Sequence, residues 1–231
     1  MRMPTVVWAA PIVLACPVLA GCGDEGPTAS QGALDADICT LDESVLWSSL
    51  PPDAIPALNE PAMVGPSDPR AECLRPGDRV LGVVVDGEAR AYPHNILWHH
   101  EIVNDRIGEQ WLTVRLCPLT DSGVAFDPTS IDGRPIDFGV SGLLFANNLL
   151  MYDRETGDLF GPQLSASGQC SRFKEETLDF VPVLETSWER WRELHPTTTV
   201  VGGETGFGRN YRFYPYDSYD ELSNDDLLFP M

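Results

Sequence analysis

The clearest alternation of apolar and polar positions begins at Arg79. Residues 79–85 (RVLGVVV) form a β-branched run, Asp86-Gly87 is a tight-turn dipeptide, and Glu88–Tyr92 reads as the returning strand. Further short apolar runs follow at Glu101–Asn104, Gln110–Leu116, Gly123–Phe126, Ile136–Val140 and Leu149–Tyr152, separated by Asp, Asn, Gly and Pro. Spacing of this kind predicts a mostly β, α+β domain: an antiparallel, short-stranded sheet or sandwich with long Pro-rich loops. Residues 93–98 predict one helical turn. A C-terminal helix is signalled by Thr186 and Glu189 as a capping box, by Trp188, Trp191 and Leu194 on one face, and by Pro196 as its stop. The aromatic and acidic stretch from Tyr211 to Pro230 predicts a surface arm packed on the sheet.

The N-terminal pattern differs. A lone Arg2 precedes an apolar run over residues 6–20 that ends in Leu19-Ala20-Gly21-Cys22. The run is too short for a comfortable membrane helix and carries Pro11 and Pro17, so it reads as an export signal. Leu-Ala-Gly-Cys resembles the bacterial lipobox, in which cleavage precedes a Cys that is then lipidated. The expected organisation is a signal at 1–21, a flexible tether at 22–37 anchored through Cys22, and one domain at 38–231. Within that domain, 38–78 is a Pro-rich wrapping arm and 79–231 the β-rich core.

Composition sharpens this picture. The 231 residues carry 35 acidic against 15 basic side chains, for a formal charge of −20. Loss of Arg2 with the signal makes the balance one unit more negative. Only one basic residue is a Lys, Lys174, so nucleic acid is excluded as the expected partner. Membrane attachment through the lipid and a small-molecule ligand are the expected partners; no cofactor is indicated. Of six cysteines, Cys39, Cys73, Cys117 and Cys170 fall in the exported domain, where disulfides are permitted. Cys39 and Cys73, both in the Pro-rich arm, are the expected pair.

Candidate chemistry concentrates in two places. Trp98-His99-His100-Glu101 sets two imidazoles beside a carboxylate; read as a strand, it puts His99 and Glu101 on one face and His100 on the other. A metal there would need further ligands such as His94, Asp105 or Cys117, and no standard zinc spacing is present. Cys117, where a strand meets a turn, suits a thiolate nucleophile, and Arg115 shares its strand face.

Together, VLGVVVDGEARAYP, HEIVND, CPL, SGLL, MYDRETG and the late HP, TG, YPY and FP elements resemble the bacterial domain of unknown function 3179, over most of residues 52–230. The resemblance implies an exported, lipoprotein-type protein and no particular reaction. The family-like positions are His100, Glu101, Asn104, Asp105, Cys117, Ser141, Asn148, Asp153 and Arg154. Members tend to carry a second Cys three residues after the first, where this chain has Thr120; this weakens dithiol and metal readings. The leading expectation is a pocket of His100, Glu101, Asp105, Cys117 and Arg154, with hydrolytic or thiol-based chemistry. Cys117 would be nucleophile, His100 base, Glu101 a further catalytic group and Arg154 the anion clamp. Asn104, Asp105, Ser141, Asn148, Asp153 and Arg154 would bind the ligand. The alternatives are a metal-binding module and a non-catalytic envelope lipoprotein.

Overall fold

Turn chemistry sets the strand order. In the computed structural model, residues 46–48, 50–161, 167–169, 176–221 and 223–224 are described. The expected signal, Cys22, the tether, Cys39 and Cys170 lie outside them. The Pro-rich arm supplies three short strands, β1 (Leu46–Ser48), β2 (Leu58–Asn59) and β3 (Met63–Val64). The core opens with β4 (Arg79–Val85) and β5 (Glu88–Pro93). Asp86 and Gly87 join them at φ 48° and 84°, the paired positive angles of a hairpin turn whose twist matches its strands.

Helix α1 (His94–His100) follows directly, with Pro93 at its N-cap. It leads into β6 (Ile102–Ile107), β7 (Gln110–Cys117) and β8 (Ser122–Asp127). A second positive-φ turn, at Ala146 and Asn147, joins β9 (Phe138–Phe145) to β10 (Asn148–Asp153). The short strands β11 (Leu159–Gly161), β12 (Ser167–Gln169), β13 (Asp179–Val181) and β14 (Leu184–Ser187) precede α2 (Trp188–Leu194), and β15 (Thr199–Val201) comes last.

These strands form three five-stranded sheets, ordered β1-β9-β10-β11-β12, β13-β8-β7-β6-β2 and β14-β4-β5-β15-β3. The first is antiparallel throughout, whereas the pairs β2/β6 and β5/β15 are parallel. The expected mostly β architecture with a C-terminal helix is therefore present, with two parallel strand pairs added. The second sheet is central. Leu112, Val114 and Leu116 of β7 join the core shared with β4, β5 and α1. Cys117 joins the core shared with Phe138, Val140, Leu149 and Met151 of the first sheet. A strand buried on both faces carries a mixed inventory on one of them, and here that face holds Thr113, Arg115 and Cys117.

Several local expectations need correction. His99 and His100 end a helix, so the strand alternation drawn for them with Glu101 does not apply. The α2 cap is Ser187, one residue after Thr186, its hydroxyl accepting from the Arg190 amide at 3.3 Å. Leu194, expected on the buried face, is exposed, while Trp188 and Trp191 are buried. Ser141 and Gly142, just past the expected run Ile136–Val140, lie inside β9, where its register against β10 shifts. Gly142 has φ 75°, and a Cβ there would lie 1.9 Å from the Leu50 carbonyl oxygen, so only glycine fits. The aromatic arm packs on α1 rather than on a sheet: Tyr214 meets Trp98 edge-on at 5.0 Å, and His99 Nε2 donates to the Phe213 carbonyl at 3.0 Å. Cys73 and Cys117 carry free thiols, so no disulfide is seen at Cys73.

Candidate functional site

The last residue of α1 and the first of β6 are separated by one residue, Glu101. The chain reverses there, and Glu101 takes φ 58° and ψ −35°, a conformation that non-glycine residues adopt at a cost. Its amide donates to the Leu97 carbonyl at 2.7 Å and its carbonyl accepts from the Leu116 amide at 2.8 Å. The side chain is thereby fixed in the interior beside β7. Burial pushes its pKa up to about 7, only partly offset by the Tyr216 hydroxyl, which donates to Oε1 at 3.2 Å, and by the Arg115 charge.

Arg115 and Cys117 alternate on one face of β7, as the two-residue period requires. Arg115 is wholly buried. Its Nη2 donates to Asn148 Oδ1 at 2.9 Å, while Nε and Nη1 have no hydrogen-bond partner among the described residues. Burial lowers its pKa to about 10, against the opposing influence of Cys117 and Glu101, and it stays charged at neutral pH. The Cys117 thiol donates to the Asn147 carbonyl at 3.6 Å. Asn148 also donates to Thr120 Oγ1 at 3.1 Å, which ties the Thr of Cys-x-x-Thr into the same cluster.

Glu101, Cys117 and Asn148 thus come together around Arg115. The other predicted residues go elsewhere. His100 Nδ1 donates to the Pro56 carbonyl at 2.7 Å, and its Nε2 accepts from the Tyr211 hydroxyl at 2.6 Å. Burial lowers its pKa to about 4, although the Pro56 carbonyl works the other way. With both nitrogens engaged, His100 is a neutral strut rather than a poised base. Asp105 accepts from Arg90 at 2.9 and 2.8 Å and from Tyr92 at 2.7 Å, which saturates it. Ser141 donates to the Leu150 carbonyl at 2.7 Å and accepts from the Leu143 amide, bracing the β9 irregularity. Asp153 holds the turn after β10 through the Glu155 amide and Thr156 hydroxyl.

Arg154 and Asn104 share a separate network. Arg154 donates to Asp53 at 3.0 and 2.8 Å and to Asp137 at 2.8 Å. Burial opposes its charge, yet these carboxylates outweigh that and raise its pKa. Two anions already neutralise the guanidinium, so the anion clamp expected there is not free. Asn104 donates to the Phe138 carbonyl at 2.8 Å and toward Asn59 and Asp137. Arg154, Asp137 and Asn59 line a cleft of about 610 Å³ together with Thr205 and Phe207. Among the described residues no three His, Cys, Asp or Glu side chains are grouped to hold a metal ion; His94 and Asp105 face different partners.

Residues 52–231 match the family described as "Protein of unknown function (DUF3179)". The chain belongs to that family. No curated protein matches it, and no solved structure does. The matched stretch of the DUF3179 family contains every residue of the Arg115 cluster. The name carries no reaction, so the chemistry must come from the side chains. Sequence reasoning placed Arg115 beside Cys117 by strand period but missed Tyr216 and Asn147. Tyr216 lies in the YPY element, and Asn147 occupies a positive-φ turn position that an Asn-Asn pair signals.

Proposed function

We propose that the protein is a lipid-anchored, extracytoplasmic protein whose small-ligand site is the Arg115 cluster, where the chemistry is thiol-based. The observation that carries this reading is Arg115: a wholly buried guanidinium whose Nε and Nη1 have no hydrogen-bond partner among the described residues, beside a free thiol. Interior charges are normally paired and their donors satisfied, so these unpaired donors suit an anionic oxygen supplied by a ligand. A carboxyl with a pKa near 7, held in strained backbone next to that cation, is the kind of group that moves protons at neutral pH.

In this reading Arg115 receives the developing oxyanion of an acyl substrate. The Glu101 carboxylate takes the Cys117 thiol proton, the thiolate attacks the carbonyl carbon to form a C–S bond, and the leaving group departs with that proton from Glu101. Water then attacks the thioester while the Glu101 carboxylate takes its proton, and the C–S bond breaks to restore the thiolate. The role of base passes from His100 to Glu101, and that of anion clamp from Arg154 to Arg115.

Alkylation tests this without a known substrate. Peptide mass mapping after treatment with iodoacetate or iodoacetamide should show Cys117 favouring the anionic reagent, with half-buried Cys73 showing no such preference. Arg115→Gln should abolish the preference, and Tyr216→Ala should speed both reactions by opening the side of Glu101. Equal rates at Cys117 with the two reagents, or no reaction even in Tyr216→Ala, would sink the proposal. The anchor has its own test: Cys22→Ser should move the protein from the membrane fraction to the soluble fraction, and continued sedimentation with membranes would refute lipidation there.

A further inference from the structure

A second cleft of about 450 Å³ opens where α1, the β7–β8 turn and the C-terminal arm meet. Its walls are aromatic: Trp98, Tyr214 and Tyr219. The Trp98 and Tyr214 rings meet at 84°, forming a corner. Its rim is acidic, with Asp121, Asp220 and Glu221. The one Arg lining it, Arg79, is ion-paired to Asp121 and Glu185, so the rim keeps an excess of negative charge.

His94 supplies the independent observation. Its side chain is only 2% exposed and lines this cleft, yet neither ring nitrogen makes a hydrogen bond among the described residues. Asp121 and Glu185 oxygens lie within ion-pair range, at 3.4 and 3.5 Å, without forming hydrogen bonds to the ring. Burial and the Arg79 charge lower the His94 pKa, so the ring is neutral at pH 7 and presents one donor and one acceptor. Burial, followed by the charges of Asp220 and Asp121, raises the Tyr214 pKa, which fits carboxylates gathered close to that ring.

We propose that this cleft binds a small organic cation of the alkylammonium class, with Trp98, Tyr214 and Tyr219 around the cationic head, Asp220 and Glu221 balancing its charge, and His94 meeting a hydroxyl or N–H on the ligand. Aromatic walls favour a soft, weakly hydrated cation over a metal ion, which needs six or more oxygen ligands at short range. An anionic ligand would meet the carboxylate rim. The site goes beyond the thiol chemistry proposed above and does not depend on it.

The test uses choline as probe, with 3,3-dimethyl-1-butanol as its uncharged counterpart of the same shape and calcium chloride as the metal control. In protein labelled with ¹⁵N at tryptophan, the indole signal missing from Trp98→Phe identifies Trp98. Choline should shift that signal saturably and the neutral alcohol should not. The double variant Asp220→Asn/Glu221→Gln should weaken choline binding about tenfold, as should Tyr219→Leu, which changes a side chain on the arm and leaves the core intact. Equal binding of the neutral alcohol, a shift caused by calcium and not by choline, or the absence of any shift in wild-type protein of unchanged circular dichroism would each overturn the proposal.

Discussion

Glu101→Gln is expected to stabilise the protein by up to about 3 kcal/mol at pH 8 and to change it little near pH 4. The sign follows from proton counting. Glu101 has an ordinary pKa of 4.5 in the unfolded chain and about 7 when buried. Between those values the native state holds a proton that the unfolded state has released, so stability falls as pH rises. Above pH 7 the native state carries a desolvated charge in full; below pH 4.5 both states are protonated and the cost vanishes. Glutamine copies the neutral carboxyl and still accepts from Tyr216. His100 acts in the opposite sense, because burial keeps it neutral down to about pH 4 while the unfolded imidazole protonates near 6.5. Its contribution is lost as pH falls through that window, and His94 acts in the same direction. The variant should therefore show a steeper rise in stability from pH 4.5 to 6.5 than the wild type. Urea midpoints at pH 4, 6 and 8 give the comparison, and parallel curves would show that Glu101 is not held neutral.

The larger loss is expected at Trp191→Ala, about 3–5 kcal/mol. This indole is buried at the junction of α2 with β4, and Gly82 leaves it room: a Cβ at Gly82 would fall 2.3 Å from the ring. Its Nε1 donates to the Thr198 hydroxyl at 2.8 Å, and that hydroxyl donates in turn to the Ala89 carbonyl. Alanine would leave a cavity against a bare glycine and strip Thr198 of a donor. Trp191→Phe should recover most of the packing but not the hydrogen bond, and fall between the two. Chemical denaturation monitored by far-ultraviolet circular dichroism would measure both. A loss below about 1 kcal/mol for alanine would mean that α2 is not anchored through this residue.

Much of the scaffold was legible because its signals are local. Asp86-Gly87 specified the first hairpin, short apolar runs located β4, β7 and β10, and strand period put Arg115 and Cys117 on one face. Helix α1 was legible only in part. Its seven residues include three His and a Trp, poor signals by propensity, and it is held by burial of Ile96 and Leu97 rather than by a side-chain cap. That is why His99-His100-Glu101 read as strand. The gathering of the site depends on pairings far apart in the chain. Nothing near Cys117 announces that Asn148 will bond Arg115 from another sheet, or that Tyr216 will reach Glu101 from the C-terminal arm. Likewise, the Arg154 carboxylate partners sit as many as 101 residues away, so a charge that looked available by type proved occupied.

The two faces of β7 give its register an unusual weight. Even-numbered residues Leu112, Val114 and Leu116 fill one core, and the alternate positions carry the charged and thiol groups. A slip of one residue against β6 or β8 would thrust a guanidinium among leucines and turn valine toward Glu101. Error in pairing would thus destroy packing and chemistry in the same step. A chain that has folded at all has, by the same parity, already aimed its thiol.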